Sequence, residues 1–231
     1  MFRFTALLFF GSLCSALQAQ TCSEMFDSFR KGVIFEYTSY DKKNRAQTIS
    51  THRINSVERI KDTLIAHADV TIKQAKGGKE IHNYSMPLKC HQGVLFMSMR
   101  SFVPIGQMSE NPEVQLEIKG GDLTFPNKLK IGQTLPNAEM EVTMRMGKVQ
   151  MMKNRYLIKD RRVEAEETIT TPAGSFNCYK ISYNLEYQLF GLQTMRNEMW
   201  YAPPVGTVKS VSFNGKGEVE SRMELTQYIK K

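Results

Sequence analysis

The chain of 231 residues has one Trp, four Cys and four His, and it lacks most of the patterns that carry chemistry. There is no Gly-rich phosphate loop and no zinc-ligand spacing. Ser175 follows Gly174 but lacks the Gly-x-Ser-x-Gly elbow of a hydrolase. His52, His67, His82 and His91 are isolated on different predicted strands. Cys90 and His91 adjoin, but successive strand side chains point to opposite faces. Glu164, Glu166 and Glu167 have the chemistry of a glycosidase acid and base, yet they read as the solvated face of a strand beside a turn. No apolar run reaches the roughly twenty residues that a helix needs to cross a bilayer. These absences predict no catalytic set, no cofactor, no metal centre and no integral membrane span.

The chain does carry an address. Arg3 stands ahead of an apolar run from Phe4 to Leu13, followed by small residues and Gln, the layout of a secretory signal peptide cut after Ala19. A lipoprotein would need a small residue before the acylated Cys. Leu13 precedes Cys14 and Thr21 precedes Cys22, so neither fits. The expectation is a soluble periplasmic or secreted protein whose residues 20–231 form one domain. Loss of Arg3 takes the net charge from +8 to +7. The basic residues are spread along every segment, so they read as solvated surface and predict no nucleic-acid partner.

Three cysteines remain in that domain, and an oxidising compartment favours one pair. Cys22 with Cys90 is preferred, because it pins a short polar terminus to the body and leaves Cys178 as a buried, inert thiol. Sequence alone allows all three pairings.

From Val33 onward apolar residues recur with period two: Val33, Phe35 and Tyr37; Ile65, Ala66 and Val70 more loosely; Leu95, Met97 and Met99; Val114, Leu116 and Ile118; Met140, Val142, Met144 and Met146; Tyr179, Ile181 and Tyr183. Turn signals lie between them at Asp41 to Asn44, Lys76-Gly77-Gly78, His91-Gln92-Gly93, Gly120-Gly121-Asp122 and Asn214 to Gly217. Thr171-Pro172-Ala173-Gly174 predicts a three-residue hairpin with a glycine bulge, joining a charged strand from Val163 to Thr170 to one from Phe176 to Tyr187. Pro104 to Pro112 and Pro126 to Asn137 read as irregular segments within one continuous domain. Only Ser23 to Arg30 suggests a helical turn. The predicted fold is mainly β: an antiparallel meander forming a strongly curved sheet or half-barrel, with little helix.

Gly32 to Asp41, Ile169 to Tyr183 and Trp200 to Ser210 resemble segments of the exported TapB-like proteins of unknown function. The likeness spans nearly the whole mature chain. It implies a β-rich exported protein of Gram-negative bacteria, similar to periplasmic folds in which a curved sheet wraps an apolar cavity. It brings no catalytic residues.

Methionine is the chemical oddity, with fourteen in the chain. Met97, Met99, Met140, Met144 and Met146 alternate on strands, so they fill an irregular β core or form an adaptable wall for an apolar ligand. The Met-x-Met spacing also suits Cu(I), though no His lies within either pair. Tyr183, Tyr187, Phe190, Trp200 and Tyr201 add an aromatic group, a cross-strand core or the mouth of a cavity. The expected function is a non-enzymatic envelope protein that binds an apolar small molecule or an envelope protein through its curved sheet. A structural or assembly module and an unrecognised hydrolase are the alternatives.

Overall fold

The computed structural model describes residues 22–99, 114–188 and 191–230. The expected leader with its Ala19 cut, the segment from Pro104 to Pro112 and Phe190 lie outside the described residues. Among these residues thirteen strands form one antiparallel sheet: β1 (Ile34–Asp41), β2 (Ala46–Ile60), β3 (Thr63–Gln74), β4 (Glu80–His91), β5 (Val94–Ser98), β6 (Val114–Gly120), β7 (Asp122–Pro126), β8 (Ala138–Met146), β9 (Val149–Thr171), β10 (Gly174–Gln188), β11 (Leu192–Ala202), β12 (Gly206–Phe213) and β13 (Val219–Ile229). Among the described residues, helix is confined to α1 (Cys22–Met25) and a 3-10 turn at Asp27–Phe29. The mainly β, curved meander predicted from alternation is the fold of the protein.

Local chemistry explains most of the hairpins. Asp41 Oδ1 accepts the backbone N–H groups of Lys43 and Arg45, both at 2.9 Å, and Asn44 takes the left-handed conformation (φ 61°) between β1 and β2. Gln92 and Gly93 both have positive φ between the paired His91 and Val94, which is the type I′ geometry that matches strand twist.

Three expectations are corrected. Thr171 pairs directly with Gly174, so the β9–β10 loop holds two residues rather than three. The charged strand from Val163 to Thr170 is only the end of β9, which spans 23 residues. Its period is broken at Asp160, a residue with φ 56° at a register shift, so Tyr156 and Ile158 before it share the inner face with Arg161 and Val163 after it. Such a bulge inserts one residue and flips the parity of alternation. Finally, Gly120-Gly121 is not a hairpin turn. β6 pairs with β8 while β7 pairs with β5, so consecutive strands occupy the two opposite edges of the sheet.

The spatial order β6-β8-β9-β10-β11-β12-β13-β1-β2-β3-β4-β5-β7 therefore has edges joined by the chain itself. Curling lays the edge strand β7 over the opposite wall: Phe125 of β7 stacks on Tyr201 of β11 at 4.7 Å, and the Arg161 guanidinium of β9 lies 4.9 Å from the Phe125 ring centre. At the seam Gly121 N–H donates to Glu139 O (2.9 Å).

Residues 22–33 close one end of this curl. Cys22 is disulfide-bonded to Cys90, Asp27 N–H donates to Pro204 O (2.8 Å), and Gly32 N–H donates to Ile54 O (2.8 Å). Phe26, Phe29 and Val33 are buried in the same apolar cluster as Leu64, Cys90 and Phe125. Asp27, also buried, is held by Arg30, Lys230 and the Tyr228 hydroxyl, which donates to it.

Candidate functional site

Residues opposite one another in register share a sheet face, which identifies the lining of the curl. Near the closed end the lining is dry: Ala66, Ala68, Val70, Leu95, Leu123, Val163, Tyr201 and Leu225 are all 0–2% exposed. Farther from the plug the same face is only partly buried. Tyr37 stands opposite Ser50, which faces Ile72, while His52 faces Val70 and then Tyr84. From the other wall come Tyr183 and Leu185 of β10, with Met195 of β11 opposite Leu185. These partly buried apolar and aromatic groups pack on the core beneath them.

Burial dominates the titration of this face. It pushes the Tyr37 hydroxyl far up and the Tyr183 hydroxyl up to about 12, so both stay protonated at neutral pH. It pushes the His52 imidazole down to about 4. His52 Nε2 lies 2.8 Å from Ser50 Oγ and its ring meets Tyr37 edge-on at 5.2 Å. Because the unfolded imidazole titrates near 6.5, the unfolded chain binds the extra proton first as pH falls. Native stability is then full above about pH 6.5 and declines toward pH 4, by about 2 kcal/mol at pH 5. Urea midpoints at pH 7.5 and pH 5 measure this. His52→Gln should remove that part of the difference, and a variant that keeps all of it would disprove the assignment.

The sequence candidates divide. Met99 and Met140 are buried in the core, Met97 and Met144 are partly buried, and Met146 is 41% exposed at the end of β8. Met144 and Met146 lie opposite Met152 and Val149. Among the described residues no group of three or more His, Cys, Asp or Glu stands where it could hold a metal ion. The aromatic group does not form one platform. Tyr183 and Tyr201 line the curl, and Tyr187 stacks on Tyr156 at 6.0 Å.

Trp200 is on the other face. Alternation sets it opposite to Met199 and Tyr201, between Lys180 and Lys209, whose ammonium groups each lie 5.3 Å from its ring centre. Its Nε1–H donates to Glu167 (2.7 Å). Trp200 is nevertheless buried, because a register shift that skips Glu164 turns the outer part of the β9–β10 hairpin across β12 and β13. The three glutamates are thereby separated in role: Glu164 accepts from the Ser182 hydroxyl, while Glu167 caps the indole. Cys178 is the free, buried cysteine among the described residues, and burial pushes its thiol up to about 12.

Arg161 adjoins Arg162 in a basic cluster that reads as solvated surface, and the structure corrects this by burying it. It is 2% exposed, and its guanidinium donates to Pro136 O (2.8 Å) and Thr124 O (3.1 Å). A void of about 10 Å³ adjoins it, lined by Leu123, Phe125, Ile158, Ile181, Tyr183 and Met199. The available signal was the break in alternation between Ile158 and Val163.

The sequence profile of the family described as DUF3108-like matches residues 30–225. None of the curated proteins matches the chain. Among solved structures, a protein from Bacteroides fragilis described as exported, with a YmcC-like fold, is 21% identical, with a TM-score of 0.72 over 89% of this chain and 99% of that one. A protein from Parabacteroides distasonis described as a lipoprotein is 22% identical, with a TM-score of 0.73 over 87% of this chain and 96% of that one. At these identities the likeness is one of fold.

Proposed function

Because the chain belongs to the DUF3108-like family, we propose that it is an exported, non-enzymatic protein of the cell envelope that holds an apolar small molecule against the inside of its curved sheet. The inner face carries this reading: Tyr37, Ile72, Tyr84, Tyr183 and Leu185 are partly buried apolar and aromatic side chains packed on the core, on the side toward which the sheet curls. Export is supported by the signal-like residues 1–19, by the descriptions of the two structural relatives and by the resemblance to TapB-like proteins. The Cys22–Cys90 bond supports a chain without a lipid on Cys22, since that sulfur is already used.

A hydrolase is the second reading, and one contact favours it: Ser50 and His52 form a hydroxyl–imidazole pair on the inner face. Against it, a base held at about 4 takes up a proton weakly at neutral pH, and no carboxylate among the described residues pairs with its ring. Native mass spectrometry of the protein purified from its own envelope tests the first reading. A co-purifying lipid mass, lost on delipidation, is the expected result. A stoichiometric protein partner in place of lipid would instead make it an assembly module. Since Trp200 lies on the outer face, the binding titration should follow displacement of a fluorescent acyl probe rather than indole emission.

A further inference from the structure

We propose that the ligand of the inner face is an amphiphile with a carboxylate head, seated on Arg161, so that long-chain fatty acids are taken in preference to neutral lipids; this rests on the apolar-ligand reading above. Three charged side chains are buried among the described residues: Asp27, Glu198 and Arg161. Asp27 is paired with Arg30 and Lys230, and Glu198 with Lys180 and Arg196. Arg161 has no carboxylate within ion-pair distance among the described residues; its partners are two neutral carbonyls and the face of Phe125.

A buried ion without a counter-ion costs several kcal/mol, and a neutral amide would cap two carbonyls without that penalty. The positive charge is therefore what capping leaves unexplained. Burial lowers the guanidinium only to about 10, so it remains a cation at neutral pH. A planar fork with donors to spare suits a carboxylate.

The neighbouring groups fit the same head. Tyr183 lines the void beside Arg161 and is only partly buried, so it leads from the cation toward the less buried part of the inner face. The two are near enough for each to influence the other's titration, and the protonated Tyr183 hydroxyl has an O–H to donate. The Tyr201 hydroxyl is buried without a partner, on the ring that stacks against Phe125. The void holds about one water at 10 Å³. A carboxylate enters as Met199, an unbranched thioether on its wall, turns aside. The chain then lies over Tyr183 and Leu185 toward Tyr37 and Ile72.

The test compares laurate with dodecanol at pH 7.5, by displacement of a fluorescent acyl probe from the full exported chain. Laurate is expected to bind at least about tenfold more tightly, because an opposite charge nearby favours the ionised head. Arg161→Gln should bring laurate down to the alcohol. Equal affinity of acid and alcohol for the unmodified protein, or a preference that survives Arg161→Gln, overturns the carboxylate assignment and leaves the apolar site standing. Binding of neither overturns both. Should Arg161→Gln fail to fold, carboxyl-labelled laurate on the unmodified protein decides by NMR: the bound acid should titrate at least about one pH unit below the free acid, and an unshifted titration rejects the proposal.

Discussion

Replacing Cys22 and Cys90 together by alanine is expected to lower the stability of the protein by about 4 kcal/mol, the loop-closure contribution of a cross-link spanning 68 residues. For a chain of this length that is a fall in melting temperature of roughly 8 to 16 °C. The bond joins a four-residue helix to the end of β4, and such a helix has almost no stability of its own. Without the link, the ordering of residues 22–33 rests on burial of Phe26, Phe29 and Val33 and on the Asp27 ion pairs. Urea unfolding of the double variant and of the reduced parent protein measures the effect, and the two should coincide. A loss below about 1 kcal/mol would mean that apolar burial alone seats the plug.

Gly120→Ala should be the most damaging single methyl addition at the seam, costing about 3 kcal/mol, whereas Gly121→Ala should stay within about 0.5 kcal/mol. A Cβ at Gly120 would stand 2.5 Å from Glu139 O and 2.6 Å from Met140 Cα. These are backbone atoms of β8, which is bonded to β9 on its far side and has no room to retreat. Displacing them also threatens the Gly121 N–H to Glu139 O bond. At Gly121 an added Cβ meets nothing within 4 Å. Comparative urea unfolding reads the difference, and hydrogen exchange at β7 should quicken in the Gly120 variant alone. Equal stability of the two variants would show that the close approach at Gly120 does not hold β7 beside β8.

Much of the fold is legible because its causes are local. A polar and apolar alternation, an Asp able to accept from the second and fourth N–H after it, and a Gly free to take positive φ are properties of neighbouring residues. They yield β1, β5 and the turns after β1, after β3 and after β4 without any long-range information, whereas β2, β4 and the turn between β2 and β3 carry no such local signal. Legibility failed where one residue altered the parity. Asp160 and Glu164 lie inside a single strand, yet each shift exchanges the inner and outer faces for everything beyond it. Thus Arg161, which reads as one of two surface arginines, turns into the core, and Trp200 ends beneath the β9–β10 hairpin.

Composition and short-range period alone carry a β-rich chain with few reactive groups and a methionine-rich set of strands. That Gly120-Gly121 joins two sheet edges instead of turning a hairpin, and which aromatic and methionine side chains share a face, follow from long-range packing. Pairing between β7 and β5, and stacking of Phe125 on Tyr201, depend on strands distant in sequence whose approach is set by the curl of the whole sheet. The same approach surrounds Arg161 with apolar walls and two carbonyls, and a charge acquires its meaning from what encloses it.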